Sequence, residues 1–168
     1  MQKQVKYEQA IKTKYPEQVV IAIAKDKEGK ANPVTLGWTM IVSGEPPMMA
    51  IAVAKGHYSA KTIRHSKCFT ISFPSSDMAE AALFFGSRSG RDTDKFAEFK
   101  CRVEPAKKID SVLLYDAVAN FECKLEWQKA AGDHIIFVGR IIASHVNTKH
   151  KKRLYTLAPS HRMGPAGK

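Results

Sequence analysis

Two long segments near the end of the sequence constrain the fold more than any other feature. Across residues 117–128, apolar side chains alternate with polar ones, which is the period-2 pattern of a half-buried β-strand. The apolar positions are Phe121, Cys123, Leu125 and Trp127. A second strand-like segment, residues 134–147, follows after the short connection 129–133. Two long strands joined this closely predict an antiparallel hairpin.

Four shorter strands are predicted before this hairpin, at residues 19–24, about 33–43, 48–54 and 68–73. Short helices are predicted between them, one capped by Ser59 and one running from Asp77 as N-cap to Gly86 at its end. A further helix is predicted to begin at residues 92–94. About six strands with short inserted helices, and no regular alternation of strand and helix, predict a mainly β fold, a small antiparallel barrel.

The length of 168 residues suits a single domain, which we expect to span the whole chain, with a core at about 17–148 and a basic tail at 149–168. The net charge is +11, and residues 134–168 contribute seven basic side chains and no acidic one. The basic run 149–153 could contact nucleic acid or an acidic partner, but a solvated loop is the commoner role of such a run and the one we favour.

Several functional classes find no support in the sequence. The longest apolar run, residues 48–54, is too short to cross a membrane, and the first residues lack a signal-peptide core, so we expect a cytoplasmic protein. Cys68, Cys101 and Cys123 are far apart and show no metal-ligand spacing, which favours packed, reduced thiols. Dinucleotide, P-loop, zincin and hydrolase motifs are missing.

Residues 86–96 combine two glycines, two serines, two arginines and a lysine directly after a predicted helix. Backbone N–H groups, hydroxyls and cations together suit a bound anion such as a phosphate. A solvated turn balanced by Asp92 and Asp94 would use the same residues. Lys55 and Ser59, at the start of a predicted helix, form a second candidate anion site, and Gly37 would let a ligand approach the backbone.

The order of several short stretches is recognisable. They are residues 32–40, Ser43 with Pro46 and Pro47, residues 84–96, residues 122–124 and residues 132–139. Together they resemble the flavin reductase-like family, in particular its flavoredoxin branch, over most of residues 20–146. The sequences S-G-R-D-x-D-K-F at 89–96 and G-D-H at 132–134 are the most specific parts.

This resemblance implies an FMN-binding split β-barrel of Greek-key type, a homodimer, and a flavin groove near the subunit interface. Asn32, Thr35 and Trp38 would line the isoalloxazine ring. The phosphate and ribityl chain would be held by Lys55, Ser59, Ser87 and Lys95. His134 would lie against the flavin or its phosphate, and Lys95 or His134 is the candidate for raising the flavin potential. Arg88 is a further candidate for the phosphate, although Arg88 and Arg91 could instead pair with Asp92 or Asp94.

The implied function is that of an FMN-dependent oxidoreductase or electron-transfer protein, without a catalytic side chain or a metal, that receives electrons from NAD(P)H or a redox protein. An FMN-binding protein without turnover and a basic nucleic-acid-binding domain are the alternatives. The C-terminus departs from the family pattern, because residues 153–159 are followed only by a short stretch that lacks the aromatic, glycine-rich character of many relatives. The shape of the substrate side is therefore open.

Overall fold

The computed structural model describes residues 1–149 and 151–166, and strands are its main secondary structure. The strands are β1 (Glu17–Gln18), β2 (Val20–Lys25), β3 (Ala31–Leu36), β4 (Thr39–Gly44), β5 (Pro47–Ala54), β6 (Cys68–Phe73), β7 (Val103–Pro105), β8 (Val112–Leu114), β9 (Ala119–Ala131), β10 (His134–Val146), β11 (Leu154–Ala158) and β12 (Arg162–Pro165). The α-helices are α1 (Tyr7–Ala10), α2 (Tyr58–Ser66), α3 (Ala79–Ser87) and α4 (Lys95–Glu98), and Ile11–Lys14 and Ser76–Met78 are 3-10 turns.

Seven strands form one antiparallel sheet in the order β3-β2-β6-β9-β10-β5-β4. The two strands at its ends, β3 and β4, are joined along the chain only by Gly37 and Trp38. Ends that are this close in the chain force the sheet to curl round on itself. The result is a barrel that is open between β3 and β4, so the expected split β-barrel is confirmed.

Strand β2 organises the core because it is buried on both faces. Its even-numbered residues point into the barrel, where they share a cluster with Phe69 and Phe137. Ile21 and Ile23 point outward and pack against Phe85 of α3 and Leu114 of β8. A strand covered on both sides reads as a continuous apolar run, which is why residues 19–24 lack the alternation seen in β9.

The structure corrects several predicted boundaries. The strand expected at 33–43 is two strands, because the chain turns at Gly37 and Trp38. The expected connection 129–133 is mostly strand, since β9 extends to Ala131 and leaves a tight turn in which Gly132 has a φ of +57°. Five strands lie outside the six expected, namely β1, β7, β8, β11 and β12.

Helix ends also differ from expectation. Ser59 does not cap α2, because His57 is the N-cap and Ser59 lies in the first turn. The predicted N-cap role of Asp77 is wrong, since Asp77 lies in a 3-10 turn and Met78 precedes α3. Gly86 lies inside α3 rather than after it. The helix start expected at 92–94 is confirmed, because Asp94 accepts a hydrogen bond from the Ala97 backbone N–H at 3.1 Å.

Much of the segment that we expected to be a basic tail takes part in the fold. Strands β11 and β12 form a small antiparallel sheet with β1 near the N-terminus. Within the basic run, Lys151 Nζ lies 3.2 Å from carboxylate oxygens of both Asp77 and Asp116. The guanidinium of Arg153 lies 3.7 Å from the centre of the Phe73 ring. The expectation of a solvated run is therefore wrong for these two cations; His150 and residues 167–168 lie outside the described residues.

The three cysteines are free thiols, as expected. Burial, with a smaller contribution from the Glu122 charge, raises the pKa of Cys123 to about 12. Burial raises the pKa of Cys101 to about 11, again with a smaller contribution from a carboxylate, Asp116. A thiol that ionises this reluctantly is a packing group rather than a nucleophile. Among the described residues, no helix is both long and apolar enough to cross a membrane.

One fully buried carboxylate, Glu122, holds a loop against the barrel. Its oxygens accept hydrogen bonds from the backbone N–H groups of Lys107, Lys108 and Ile109 at 2.6–3.1 Å. Nε2 of His145 lies 2.7 Å from the same carboxylate. Burial favours the protonated acid, but these hydrogen bonds outweigh it and lower the pKa of Glu122.

We expect Glu122→Gln to lower the free energy of unfolding by about 1.5–3 kcal/mol at pH 7, because the amide cannot accept all the hydrogen bonds that the carboxylate accepts. A lowered pKa gives stability that is complete above the unfolded-state pKa, near 4.5, and is lost as the pH falls through the lower folded-state value. The deficit of the variant should therefore shrink below pH 4.5 in urea-unfolding measurements. An equal deficit at pH 7 and pH 3 would contradict this role.

Candidate functional site

Two cavities meet at Gly86 and Ser87, the end of α3. The first, which we call the apolar cavity, has a volume of about 330 Å³ and lies between α3, the β3–β4 connection and the two chain ends. The second, which we call the cationic cavity, has a volume of about 280 Å³ and lies between the loop after α3 and the start of α2. Gly86 and Ser87 line both cavities, which therefore border one another at the end of α3.

The cationic cavity is built from groups that favour an anion. Arg88 and Arg91 line it from the loop, and Lys95 lines it from the start of α4. The first turn of α2, with Tyr58 and Ser59, lines the other side, and the first N–H groups of a helix have no partner within the helix. In the part of the chain that the structure describes, no ion pair joins either arginine to Asp92 or Asp94.

Lys95 is the most constrained charge in the site, since only 3% of its surface is exposed. Its Nζ donates hydrogen bonds to the carbonyl oxygens of Pro33 in β3, at 2.7 Å, and Phe85 in α3, at 2.8 Å. No acidic side chain among the described residues pairs with it. Burial without a nearby counter-charge lowers the pKa of Lys95 to about 8.

A second buried polar group, Asn32, directly precedes Pro33, whose carbonyl accepts the hydrogen bond from Lys95. The Asn32 amide donates a hydrogen bond to Ser59 Oγ at 2.9 Å, while Asn32 Oδ1 is buried without a partner. Gly90 packs directly on that oxygen, because a Cβ built at Gly90 would lie 1.9 Å from it. Gly90 is therefore needed for the loop to approach β3, and the loop covers Asn32.

The lining of the apolar cavity is mostly apolar. Thr35 and Trp38 contribute from the barrel, and Leu83 contributes from α3. Thr35 Oγ1 donates a hydrogen bond to the Ala82 carbonyl at 2.7 Å, which fixes α3 against β3. The far wall comes from residues that the sequence did not indicate as site residues, namely Lys14, Tyr15, Glu17, Thr156, His161 and Met163.

Most of the nine candidate residues named from the sequence lie at these cavities. Thr35, Trp38, Ser59, Ser87, Arg88 and Lys95 line one or both, and Asn32 is bonded to Ser59. Ser87 stands at the junction, with its hydroxyl donating to the Phe84 carbonyl at 3.2 Å.

Lys55 and His134 lie outside both cavities. Lys55 is exposed, and its backbone N–H donates a hydrogen bond to the Asp133 carbonyl at 3.0 Å. The His134 ring lies 2.7 Å from the Asp133 carboxylate through Nδ1 and 4.5 Å, centre to centre, from the Trp38 ring. His134 therefore reaches the apolar cavity only through Trp38.

The two cavities together suit a ligand with one anionic end and one flat, apolar end. A phosphate monoester is a dianion near neutral pH and matches an uncompensated lysine beside a helix N-terminus. An aromatic ring system matches the cavity lined by Trp38, Leu83 and the strand backbone.

The family model described as "Flavin reductase like domain" matches residues 12–163. The actinorhodin polyketide dimerase of Streptomyces coelicolor is 30% identical over 142 residues, which cover 83% of this chain and 76% of that protein. A flavin reductase of Pseudomonas putida is 26% identical over 146 residues, covering 87% and 82%. The chain spans 73%, 64% and 53% of the length of relatives from Pyrococcus abyssi, Archaeoglobus fulgidus and Aeropyrum pernix.

Among solved structures, flavoredoxin from Methanosarcina acetivorans superposes with a TM-score of 0.87 at 24% identity, covering 100% of this chain and 92% of that chain. At this identity the likeness shows a shared fold.

The burial of Lys95 predicts how stability depends on pH. The ammonium has a pKa of about 8 in the folded chain and 10.5 as its ordinary value, so between these values the unfolded chain holds one more proton. The free energy of unfolding should rise over this range by up to about 1.4 kcal/mol per pH unit. Urea unfolding at pH 7.5 and 9.5 gives the change in the free energy of unfolding with pH for the wild type and for Lys95→Met. The difference between these two changes is the contribution of Lys95. Parallel pH profiles would show that Lys95 is not held as a buried charge.

Proposed function

The chain belongs to the flavin reductase-like domain family, and we propose that it is an FMN-dependent oxidoreductase. The observation that carries the proposal is the buried, uncompensated ammonium of Lys95 at the edge of a cavity that ends in a helix N-terminus. The dianionic phosphate of FMN would supply the missing counter-charge. Riboflavin and other uncharged ring systems would not.

The phosphate end fits the cationic cavity residue by residue. Lys95 already uses two hydrogen bonds on backbone carbonyls, and an ammonium has a third proton to donate. Ser59 and Ser87 add hydroxyls, and Arg88 adds an exposed cation at the rim. These groups would bind and orient the phosphate; none of them needs to change its covalent state.

The ring end fits the apolar cavity. Trp38 and Leu83 offer apolar surface, and the backbone around Gly37 offers hydrogen-bonding groups at the bend between β3 and β4. FMN would supply the electron transfer, while the chain supplies binding, orientation and electrostatics. Lys55 and His134, assigned to the flavin by resemblance, are proposed here to act from outside the cavities, His134 by supporting the Trp38 ring.

Electrons would come from NAD(P)H or from a redox protein and pass through FMN to an acceptor. The Pseudomonas putida relative is a flavin reductase by name, which supports a turnover function. An FMN-binding protein without turnover is the alternative. Oxidation of NADH or NADPH by the FMN-loaded protein, with free flavin, ferric chelates and quinones as acceptors, separates the two; a cytoplasmic location stays a prediction.

The proposal is tested by the visible spectrum of the purified protein and by titration with FMN. We expect a flavin spectrum, either at once or after FMN is added. Lys95→Met should weaken FMN binding roughly 10- to 100-fold, the size expected for a lost charge-assisted hydrogen bond. Riboflavin binding should change little, because riboflavin has no phosphate.

Trp38→Ala serves as the matched control. Since FMN and riboflavin share the ring, this variant should weaken the binding of both by similar factors. Equal losses of FMN and riboflavin binding in Lys95→Met would show that Lys95 does not contact the phosphate. A protein that binds neither ligand would overturn the proposed function.

We also propose that the protein is a homodimer that pairs through β4. Among the residues that the structure describes, this strand pairs with β5 alone, and Met40, Ile41 and Val42 are 61%, 75% and 38% exposed. Consecutive exposed apolar residues on a free strand edge are an aggregation hazard unless another chain covers them. Because Trp38 directly precedes β4, a second copy placed there would stand beside the apolar cavity.

We expect Ile41→Lys to yield a monomer in sedimentation equilibrium, because a lysine on each copy would place like charges in the interface. Val146→Lys is the matched control, since Val146 is 78% exposed at the end of β10 and lies away from β4. This control should keep the wild-type mass. A wild-type protein that is monomeric at micromolar concentration, or an Ile41→Lys variant that stays dimeric, would contradict the β4 interface.

A further inference from the structure

A carboxylate occupies the apolar cavity at the point where the barrel is open. Glu17 lines this cavity, and its side chain is 18% exposed. A Cβ built on Gly37 would lie 2.8 Å from Glu17 Cδ and 3.0–3.1 Å from the two carboxylate oxygens. The carboxyl group therefore lies directly against the Gly37 backbone, one residue before Trp38.

This position is fixed from two sides. Glu17 belongs to β1 and pairs with Thr156 of β11, which also lines the cavity. Lys14 Nζ lies 2.7 and 2.8 Å from the two oxygens, and Lys14 is on the cavity wall as well. The carboxylate is therefore an anchored charge rather than a mobile surface group.

We propose that Glu17 lowers the redox potential of the bound flavin. The inference rests on the proposed function, because it needs FMN with its ring in the apolar cavity. Reduction adds negative charge to the ring, and a carboxylate that is mostly buried opposes that charge more strongly than it would in water. The protein would then bind oxidised FMN more tightly than reduced FMN, and the reduced form would be a stronger reductant.

The two side chains that the sequence suggested for tuning the potential, Lys95 and His134, lie outside this cavity. Lys95 lines the cationic cavity, and its ammonium donates two hydrogen bonds to carbonyl oxygens. His134 lies beside Trp38 and next to the Asp133 carboxylate, outside the cavity. We therefore assign the lowering of the potential to the Glu17 carboxylate, with Lys14 offsetting part of its charge. A raising effect of Lys95 or His134 stays a prediction.

The test is the midpoint potential of the FMN-loaded protein, measured against a reference dye during slow reduction. Glu17→Gln keeps the shape of the side chain and removes its charge. We expect a gain of about tenfold in affinity for reduced relative to oxidised FMN, which is an upward shift of about 30 mV for a two-electron couple. Lys14→Met leaves Glu17 uncompensated and should shift the potential downward.

Glu126→Gln is the matched control, because Glu126 also forms an ion pair, with Arg140 at 3.4 Å, on the exposed part of the β9–β10 hairpin. It changes the net charge equally and should leave the potential unchanged. An unchanged potential in Glu17→Gln, or an equal shift in Glu126→Gln, would overturn the inference while the proposed function stands. Lys14→Met gives an independent reading if Glu17→Gln does not fold. A protein that takes up no FMN would overturn both.

Discussion

The structure depends on Lys95, a buried lysine to which no described residue supplies a counter-charge. Lys95 begins α4, and its ammonium joins a carbonyl of β3 to a carbonyl of α3. One side chain thus ties the barrel, the covering helix and the loop between α3 and α4 together. Removing an ammonium from water is unfavourable unless something compensates it, and two neutral carbonyls compensate it only partly. A dianionic ligand beside it would complete that compensation, so the same residue that organises the loop also specifies what the loop binds.

The second constraint is the opening of the barrel. The sheet cannot close between β3 and β4, because Gly37 and Trp38 turn the chain there instead of pairing. At this opening the Gly37 backbone, Thr35 and Trp38 line the apolar cavity. Helix α3 covers one side of this cavity. The small sheet of β1, β11 and β12 covers another, and brings Glu17 against Gly37. The cavity is therefore made by the chain ends as much as by the barrel.

The sequence predicted the parts of the fold that have a local signal. Residues 68–73 were placed correctly as β6, because a β-branched and aromatic run ends at a proline, and the long β9–β10 hairpin followed from its alternation. The division of residues 33–43 into β3 and β4 was not predicted, because the apolar pattern continues across Gly37. Strands β1 and β11 were not predicted, because they are short and their partners are far apart in the chain. Glu17, for example, pairs with Thr156.

The candidate site could also be predicted only where the residues carry a local sequence signal. The candidate residues in β3 and in the loop after α3 were found because they lie within recognisable sequence motifs, residues 32–40 and 84–96. The motifs could not indicate Glu17 or His161, which reach the cavity only through tertiary contacts, and they did not predict that the Glu17 carboxylate lies against Gly37.

We propose that the phosphate of FMN binds next to Lys95 and the first turn of α2. The ³¹P resonance of FMN bound to the protein, followed from pH 5 to pH 8, reports directly on this contact. A free phosphate monoester takes up its proton near pH 6. A phosphate held by a buried ammonium and a helix N-terminus should stay dianionic, so its resonance should remain constant across this range. A bound FMN whose resonance shifts with pH as that of free FMN does would contradict the account.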